Sequence, residues 1–576
     1  MQKFVLLDHS LKDLGGHYYT YASCVLAAAE RAGFQPMLAT HRDFQEFDAL
    51  PRTWTAHAVF REKSHSHRML EATDAGRGIV TTWLDRARSA WRARAGARIA
   101  ESFAADCRTL FERVSLQPGD HVFLATASEL DLDGLTRFLE SGPPEYRRVG
   151  WHLQFHLGIF DGREPDYASQ SGRRQAMRAV FMQALRRVPE HRVRFYCTTE
   201  QLTAQHQGLD VARFETLTYP VHALFHRTER VRSATPPARI ACLGHSRREK
   251  GYRELPIIIR DLWQDYLSQG RAQLVMQTRR RDLRRALDAA VSQLGPAATT
   301  SPITYAPFPL DLERYARLVR DTDVGLMLYD GTRYYARCSG VLLEMLCAGV
   351  PVIVPAGSWL SEQIAETNQQ YLEQLGARCQ PIARVPEVAA IEFDRRPAVT
   401  DFEVPAGARS LLVRFQGPKP PLPGTFVRLD LEQFDAAGTR VHDFAAVTGA
   451  RAHGGAAHVM FHLNAETVRA RLAWRNAWSD ARLIVTDVQL LPLSQHEPAG
   501  AVGLTTANSK QCGELLDDML RHVEHYRGSS AAFATQCIRE HDATRIIAQL
   551  TGISAAAPPL AQSLPPRLDS SSQAGG

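Results

Sequence analysis

The chain has 576 residues, 44% of them hydrophobic and 23% charged, with a formal charge of +6. That length accommodates three or four domains, each with enough chain to bury its own core. The mild basic excess suits an anionic ligand or a membrane surface and excludes the dense positive footprint of a nucleic-acid binder, and no stretch reaches the ~20 consecutive apolar residues that span a bilayer.

In chain order, Lys3 to Asp8 is a short apolar run that turns polar at once. It reads as a first strand rather than a signal peptide, so the expected location is cytoplasmic or peripheral on the inner face of a membrane. A loop with Gly15 and Gly16 follows, then a helix with Tyr18, Tyr21, Ala22, Val25, Leu26 and Ala29 at helical spacing, stopped by Gly33. Thr82 to Phe103 is a basic amphipathic segment carrying Trp83 and Trp91. It is expected as a solvated surface helix, with an anionic lipid surface as the other reading. His121 to Thr126, Arg148 to His156 and Arg194 to Thr198 read as further strands, the last followed by a helix from Glu200. Between them, Asp131-Leu132-Asp133 has the form of a DxD metal motif, but its context ELDLDGL reads as a loop or helix cap. Alternation of strands and helices predicts a parallel sheet covered on both faces, a Rossmann-like domain over residues 1–230.

A Pro-containing linker, RVRSATPPA, opens a second alternation with strands at Arg239 to Leu243, Gln273 to Gln277, Ile303 to Ala306, Val324 to Tyr329 and Pro351 to Pro355. Near Val399 the texture changes to short alternating segments between Gly, Pro and Asp turns. Phe426, Arg428 and Asp430 fall on one face, and Val427, Leu429 and Leu431 on the other. This predicts an antiparallel β-sandwich, resembling carbohydrate-binding modules in strand pattern only, over residues 396–496. Its Trp474 and Trp478 suit either sugar stacking or a packed core. Ala501 to Leu504 reads as a returning strand, with two helices after it, Cys512 to Tyr526 and Ser530 to Leu550. The sandwich is thus expected as an insertion in a second Rossmann-like domain made of residues 231–375 and 497–553, with 554–576 as a disordered tail. The nine cysteines stand singly, with no CxxC pair and no Cys/His metal spacing, and read as buried hydrophobes of a reducing compartment.

Two stretches carry chemistry. In LGHSRREKGY a strand ends, a glycine turns the chain, and Arg247 and Lys250 follow before a helix. A planar guanidinium fork and a point charge at the carboxyl end of a strand suit a diphosphate. In YYARCSGVLLEMLCAGVPVIV, Ser339 and Gly340 start a helix whose unpaired N–H groups and dipole favour an anion, and glycine lets the phosphate approach closely. Glu344 lies five residues past Ser339, within reach of ribose hydroxyls. Trp359 beyond the next strand suits a base, a sugar or the core equally.

These stretches resemble the donor domain of family 4 retaining glycosyltransferases of the GT-B fold. That family has a Gly–x–x–Arg–x–Glu–Lys–Gly turn, here Gly244, Arg247, Glu249, Lys250 and Gly251. It then has Tyr–x–x–Arg–x–Ser–Gly–Val before a helix carrying Glu, here Tyr334, Arg337, Ser339, Gly340, Val341 and Glu344, and a closing Gly–x–Pro–Val–Ile strand, here Gly349 to Ile353. Ala336 stands where many members have a second glutamate, and His245 at the commonest arginine position. The resemblance covers the α/β portion and not the sandwich. It implies a GT-B fold of two Rossmann-like domains facing a cleft, with the Gly15-Gly16 loop near the donor phosphates. It implies sugar transfer with retention, needing no metal or cofactor, from a nucleotide-sugar donor to a glycan, lipid-linked or protein acceptor in surface polysaccharide assembly. Arg247 and Lys250 would stabilise the leaving diphosphate. A histidine after an N-terminal strand would face the donor sugar, and the candidates are His156 and His152. Two alternatives stand beside it. One is a non-catalytic carbohydrate-binding scaffold with a decayed cleft. The other is a nucleotide-sugar epimerase or hydrolase on the same fold, which would need a carboxylate acid-base pair that the sequence does not display.

Overall fold

A computed structural model describes residues 1–63, 83–226, 237–297, 301–308, 310–385, 397–416, 426–449, 456–476, 484–492 and 497–553, with the side chains of 83–93 left aside. Trp478, the expected disordered tail, most of the Pro-containing linker and the side chains of Trp83 and Trp91 lie outside the described residues.

Apolar runs ended by polar or glycine turns build the first half. Its elements are β1 (Lys3–Asp8), α1 (His17–Arg31), β2 (Gln35–His41), β3 (Thr55–Phe60), α2 (Trp83–Arg113), β4 (His121–Ala127), α3 (Glu129–Glu140), β5 (Gly150–Phe155), α4 (Ser171–Arg186), β6 (Arg192–Cys197), α5 (Glu200–Gln207) and β7 (Phe214–Thr216). All seven strands are parallel, in the order β3-β2-β1-β4-β5-β6-β7. Side chains alternate across β1. Phe4 and Leu6 enter one buried cluster with α1, whereas Val5 and Leu7 enter the other with Phe103 and Cys107 of α2. A sheet covered on both faces therefore reads as an unbroken apolar run.

The second half repeats the plan with β8 (Ala238–Cys242), α6 (Leu255–Asp261), β9 (Ala272–Gln277), α7 (Arg281–Leu294), β10 (Ile303–Ala306), α8 (Leu312–Arg320), β11 (Val324–Leu326), α9 (Gly340–Cys347), β12 (Val352–Pro355) and α10 (Trp359–Arg378). Eight antiparallel strands then intervene: β13 (Ala383–Arg384), β14 (Ala398–Glu403), β15 (Ser410–Gln416), β16 (Phe426–Phe434), β17 (Arg440–Gly449), β18 (Ala456–His462), β19 (Arg469–Asn476) and β20 (Ile484–Leu491). They form two four-stranded sheets, β13-β20-β15-β18 and β14-β19-β16-β17. The chain returns as β21 (Gly503–Thr506), α11 (Cys512–Arg521), α12 (Val523–Glu540) and α13 (Ala543–Thr551). Because β21 lies parallel beside β12, with Val352 opposite Gly503, the two antiparallel sheets are an insertion between neighbouring strands of the second parallel sheet, β10-β9-β8-β11-β12-β21.

Several elements differ from the sequence reading, each for a local reason. The strand expected to Tyr329 ends at Leu326; Met327 N still donates to Ile353 O at 2.9 Å, and by Asp330 the chain has turned away, with Asp330 N donating to Glu249 O at 2.8 Å. The returning strand starts two residues late, since Asn368 Oδ1 accepts from Ala501 N and Val502 N. Three helices replace the expected two after it. The chain breaks at His522, beside the Asp518 carboxylate that accepts from the Tyr526 hydroxyl, and again where Asp542 caps α13 by accepting from Thr544 N. The basic helix runs on to Arg113, and its second half is not a solvated surface: Ile99, Phe103, Cys107 and Leu110 are buried in the core. Trp474 is 3% exposed inside the sandwich and cannot stack on a sugar. Trp359 is likewise buried, in the cluster around α9 and β12.

Candidate functional site

Both parallel sheets reverse their strand order at one place, between β1 and β4 in the first and between β8 and β11 in the second. Loops leaving the carboxyl ends of strands at such a reversal splay to opposite faces and open a crevice. The Gly15-Gly16 loop leaves β1, the Arg247–Lys250 loop leaves β8, and the segment leading into α9 leaves β11. The sequence-predicted phosphate residues thus occupy both switch points.

On the second sheet the two basic-and-helix stretches converge. A Cβ added to Gly244, whose φ is +89°, would lie 2.6 Å from Lys250 Nζ and 3.3 Å from Val341 Cγ2. Gly244 therefore brings the β8 loop, Lys250 and the first turn of α9 into one space. Gly251 shapes the same loop: its φ is +68°, and a Cβ there would reach 1.9 Å from Leu328 O, so only glycine fits. Lys250 Nζ stands 4.8 Å from the Tyr329 ring centroid. Burial brings its ammonium down to about 8, opposed by Tyr334 and Glu344 and aided by the neighbouring Arg247 charge. Arg247 is half-exposed, 3.4 Å from Glu249, and close enough to Tyr18 across the crevice to lower the Tyr18 pKa, which burial otherwise raises.

Ser339 caps α9 by accepting from Leu342 N at 3.3 Å, which leaves the N–H groups of Gly340 and Val341 at the helix start. Gly340 faces the other half: a Cβ there would come 3.2 Å from the Tyr219 hydroxyl. Across the crevice, α1 starts at Gly16 (φ 83°) with no side-chain cap and no acid in its first turn. A Cβ on Gly16 would meet nothing within 4 Å, so open space lies above that helix start. Two helix N-termini and one buried ammonium supply the kind of dipole and charge that hold phosphates.

Glu344 is 5% exposed and accepts from the Tyr315 hydroxyl at 3.0 Å. Burial raises its carboxyl to about 7, against the Tyr315 bond and Lys250. Arg337 is half-buried on the loop into α9, beside Ala336, whose carbonyl accepts from Thr199 Oγ1 of the first half at 2.7 Å.

The two candidate histidines part company. His156 Nε2 lies 2.7 Å from Ala125 O, an acceptor only, so Nε2 carries the proton and Nδ1 keeps a lone pair. Burial holds this imidazole down to about 4 and therefore neutral. Its ring lies 6.0 Å from Tyr21 and 6.4 Å from Tyr219, and so reaches the crevice. His152 is instead 2% exposed inside the first sheet, between His121 Nδ1 at 3.0 Å and the Tyr196 hydroxyl at 3.3 Å, and is not brought to the others. The DxD pair is spent on structure. Asp131 closes the α3 capping box with Ser128 and lies 3.4 Å from buried His9, while Asp133 pairs with Arg137 and Arg187. Sequence reasoning missed Tyr219, Tyr315 and Tyr329, which fix Gly340, Glu344 and Lys250. Nothing in their local sequence separates them from core tyrosines.

No family model matches the chain, and no curated protein does. Among solved structures it is similar to the sucrose-phosphate synthase of Thermosynechococcus elongatus, at 15% identity over 64% of this chain and 85% of that one, with a TM-score of 0.42. It is similar to a trehalose-6-phosphate protein from E. coli bound with UDP-2-fluoro glucose, at 14% identity over 61% and 84%, TM-score 0.38. It is also similar to WaaG, a glycosyltransferase involved in lipopolysaccharide biosynthesis, at 16% identity over 61% and 80%, TM-score 0.36. The architecture is GT-B-like on this chain's own strand order: two parallel α/β sheets, with two antiparallel sheets inserted in the C-terminal half. Among the described residues no helix is long and apolar enough to cross a membrane.

Proposed function

We propose that the protein is a glycosyltransferase that moves a sugar from a nucleotide-sugar donor to a glycan, lipid-linked or protein acceptor, with retention at the anomeric carbon. The observation that carries this reading is the convergence of Arg247, Lys250 and the start of α9 at one switch point, opposite the uncapped start of α1 at the other. As the bond from the anomeric carbon to the diphosphate breaks, negative charge grows on the leaving oxygens. Lys250, Arg247 and the helix N–H groups are already arranged to receive it, so they favour the transition state over the ground state. Neutral His156, with a lone pair at Nδ1, is suited to accept a hydrogen bond from a donor sugar hydroxyl. Glu344, oriented by Tyr315, is suited to the ribose. Retention, and a role in surface polysaccharide assembly, follow from the resemblance of the Gly244–Gly251 and Tyr334–Glu344 motifs.

Thermal stability measured with UDP, GDP, ADP, CDP and dTDP tests the reading. One of them at about a hundred times its Kd should stabilise the folded protein by roughly 2.7 kcal/mol, and Lys250→Ala should remove the effect. Absence of any shift across the five would sink the claim. The non-catalytic reading has one specific support, Ala336, whose backbone is committed to the Thr199 contact. Nucleotide-sugar turnover, as distinct from binding, decides between them.

A further inference from the structure

A second cavity, of about 870 Å³, lies away from the phosphate pocket, where the β6–α5 loop, helix α10, the β17–β18 face of the sandwich and helix α11 meet. Its volume is that of a small-ligand site. Two of its lining side chains are buried with an unmet polar atom: Thr198 Oγ1, on a residue 4% exposed, and Gln201 Oε1, on a residue 6% exposed, have no hydrogen-bond partner among the described residues. Buried polar groups are nearly always paired; as they stand both atoms are closed off from the cavity, and a turn of either side chain toward it lets a ligand there supply the missing bond. Gln201 is held in place from its other end, since its Nε2 donates to Glu362.

The electrostatics of the wall select the ligand. Its carboxylate residues outnumber its arginines and lysines six to one, and with Glu514 and Asp518 set against His442 and His462, Glu200, Glu362, Glu366 and Glu540 still stand against one arginine, the reverse of the Arg247–Lys250 pocket. A diphosphate or an acidic sugar is repelled here. The lining's hydroxyl, amide and carboxylate residues offer hydrogen bonds to an uncharged polyol, and Phe444 among them an apolar contact for its C–H groups. The cavity also adjoins the transfer cleft: Thr199, next to Thr198, donates to Ala336 O, three residues before Ser339. From these observations we infer that the junction cavity binds an uncharged oligosaccharide, leaving the basic pocket to the donor. Its identity as the acceptor chain rests on the transferase reading; carbohydrate binding at this place does not.

The test is calorimetric titration of the full chain with maltotriose, cellotriose, laminaritriose and chitotriose, using trigalacturonate as the acidic counter-probe. At least one neutral trisaccharide should bind and trigalacturonate should not. Thr198→Val and Gln201→Leu should each weaken binding about three- to tenfold, the range for losing one neutral hydrogen bond. Ala446→Phe, which fills the cavity from the sandwich side, should abolish it, so a folding defect in one variant does not decide the outcome. Lys250→Ala should lose nucleotide stabilisation and keep the sugar affinity, which separates failure of this site from failure of the donor site. No neutral probe binding below about 10 mM, stronger binding of trigalacturonate, or affinity unchanged in all three cavity variants overturns the assignment.

Discussion

Lys250 and Glu344 sit in one pocket with their pKa values displaced toward each other, the ammonium down to about 8 and the carboxyl up to about 7, both chiefly by burial. The charged lysine is the form that holds a diphosphate. In the free protein it is lost as pH rises through about 8, so nucleoside diphosphate affinity should fall toward about tenfold per pH unit above that point. Titration calorimetry across the alkaline range checks this, and Lys250→Arg, which stays protonated, should flatten the fall. Glu344 is a stability statement as well. Its folded pKa lies above the ordinary 4.5, so the folded state holds the proton longer than the unfolded one. Stability therefore drops as pH rises from about 4.5 to about 7, by roughly 3 kcal/mol at neutral pH and above. Glu344→Gln can still accept from Tyr315 and should recover most of that at pH 8 while changing little at pH 4.5. A melting series at the two pH values decides; equal effects at both would remove the linkage. The Gly–x–x–Arg–x–Glu–Lys–Gly turn was legible because each of its residues is there for a local reason, positive φ or charge. Tyr315 and Tyr219 were not legible, since each acts on a residue far along the chain.

Between elements, the sandwich is tied to α11 by ionisable pairs. His442 of β17 bonds Glu514 at 2.8 Å, and His462 of β18 and His522 both approach Asp518, at 3.4 and 3.2 Å. The hydrogen bond that His442 donates to Glu514 raises the His442 pKa, despite partial burial. A raised histidine contributes fully below its ordinary value of 6.5 and loses that contribution as pH climbs through the folded value. Asp518 has the opposite sign. Burial alone would raise it, but bonds from His462, His522 and Tyr526 hold it well below 3.8, so its contribution fails only as pH falls through that depressed value. The docking of sandwich on α11 is thus firmest in mildly acidic solution. His442→Gln should shrink the loss of melting temperature between about pH 5.5 and pH 8.5, by an amount worth under about 1 kcal/mol because both side chains are partly exposed. An undiminished pH dependence in that variant would locate the linkage elsewhere. At this scale, sequence reasoning placed strands such as Ile303–Ala306 by their apolar runs and missed helix ends such as that at Asp542. An N-cap inside a continuous helical pattern is indistinguishable from an exposed acid until the break is seen.

Over the whole molecule, alternation of strand and helix was enough to give two parallel sheets, but the reversal of strand order that makes each crevice is a property of pairing between distant segments. So is the seam that joins the insertion to the donor half. Leu372 and Leu375 of α10 pack with Leu412, Met460 and Leu491 of the sandwich, and Gln369 on the same helix exchanges hydrogen bonds with both backbone groups of His458. Helix α10 starts directly after β12, the strand that neighbours β11 in the sheet bearing the phosphate loop. A sandwich held this way is a supporting wall of the donor half and of the junction cavity. Leu412 is 3% exposed at the centre of the seam, and truncating it removes its transfer energy and leaves a hole that neither rigid unit can fill. Leu412→Ala should therefore cost about 2–5 kcal/mol. It should also divide the calorimetric melt into two transitions, of which a nucleoside diphosphate raises only the one belonging to the α/β portion. A loss below about 1 kcal/mol with the melt still single would mean that the sandwich and the donor half are coupled by other contacts, and that the seam is not what joins them.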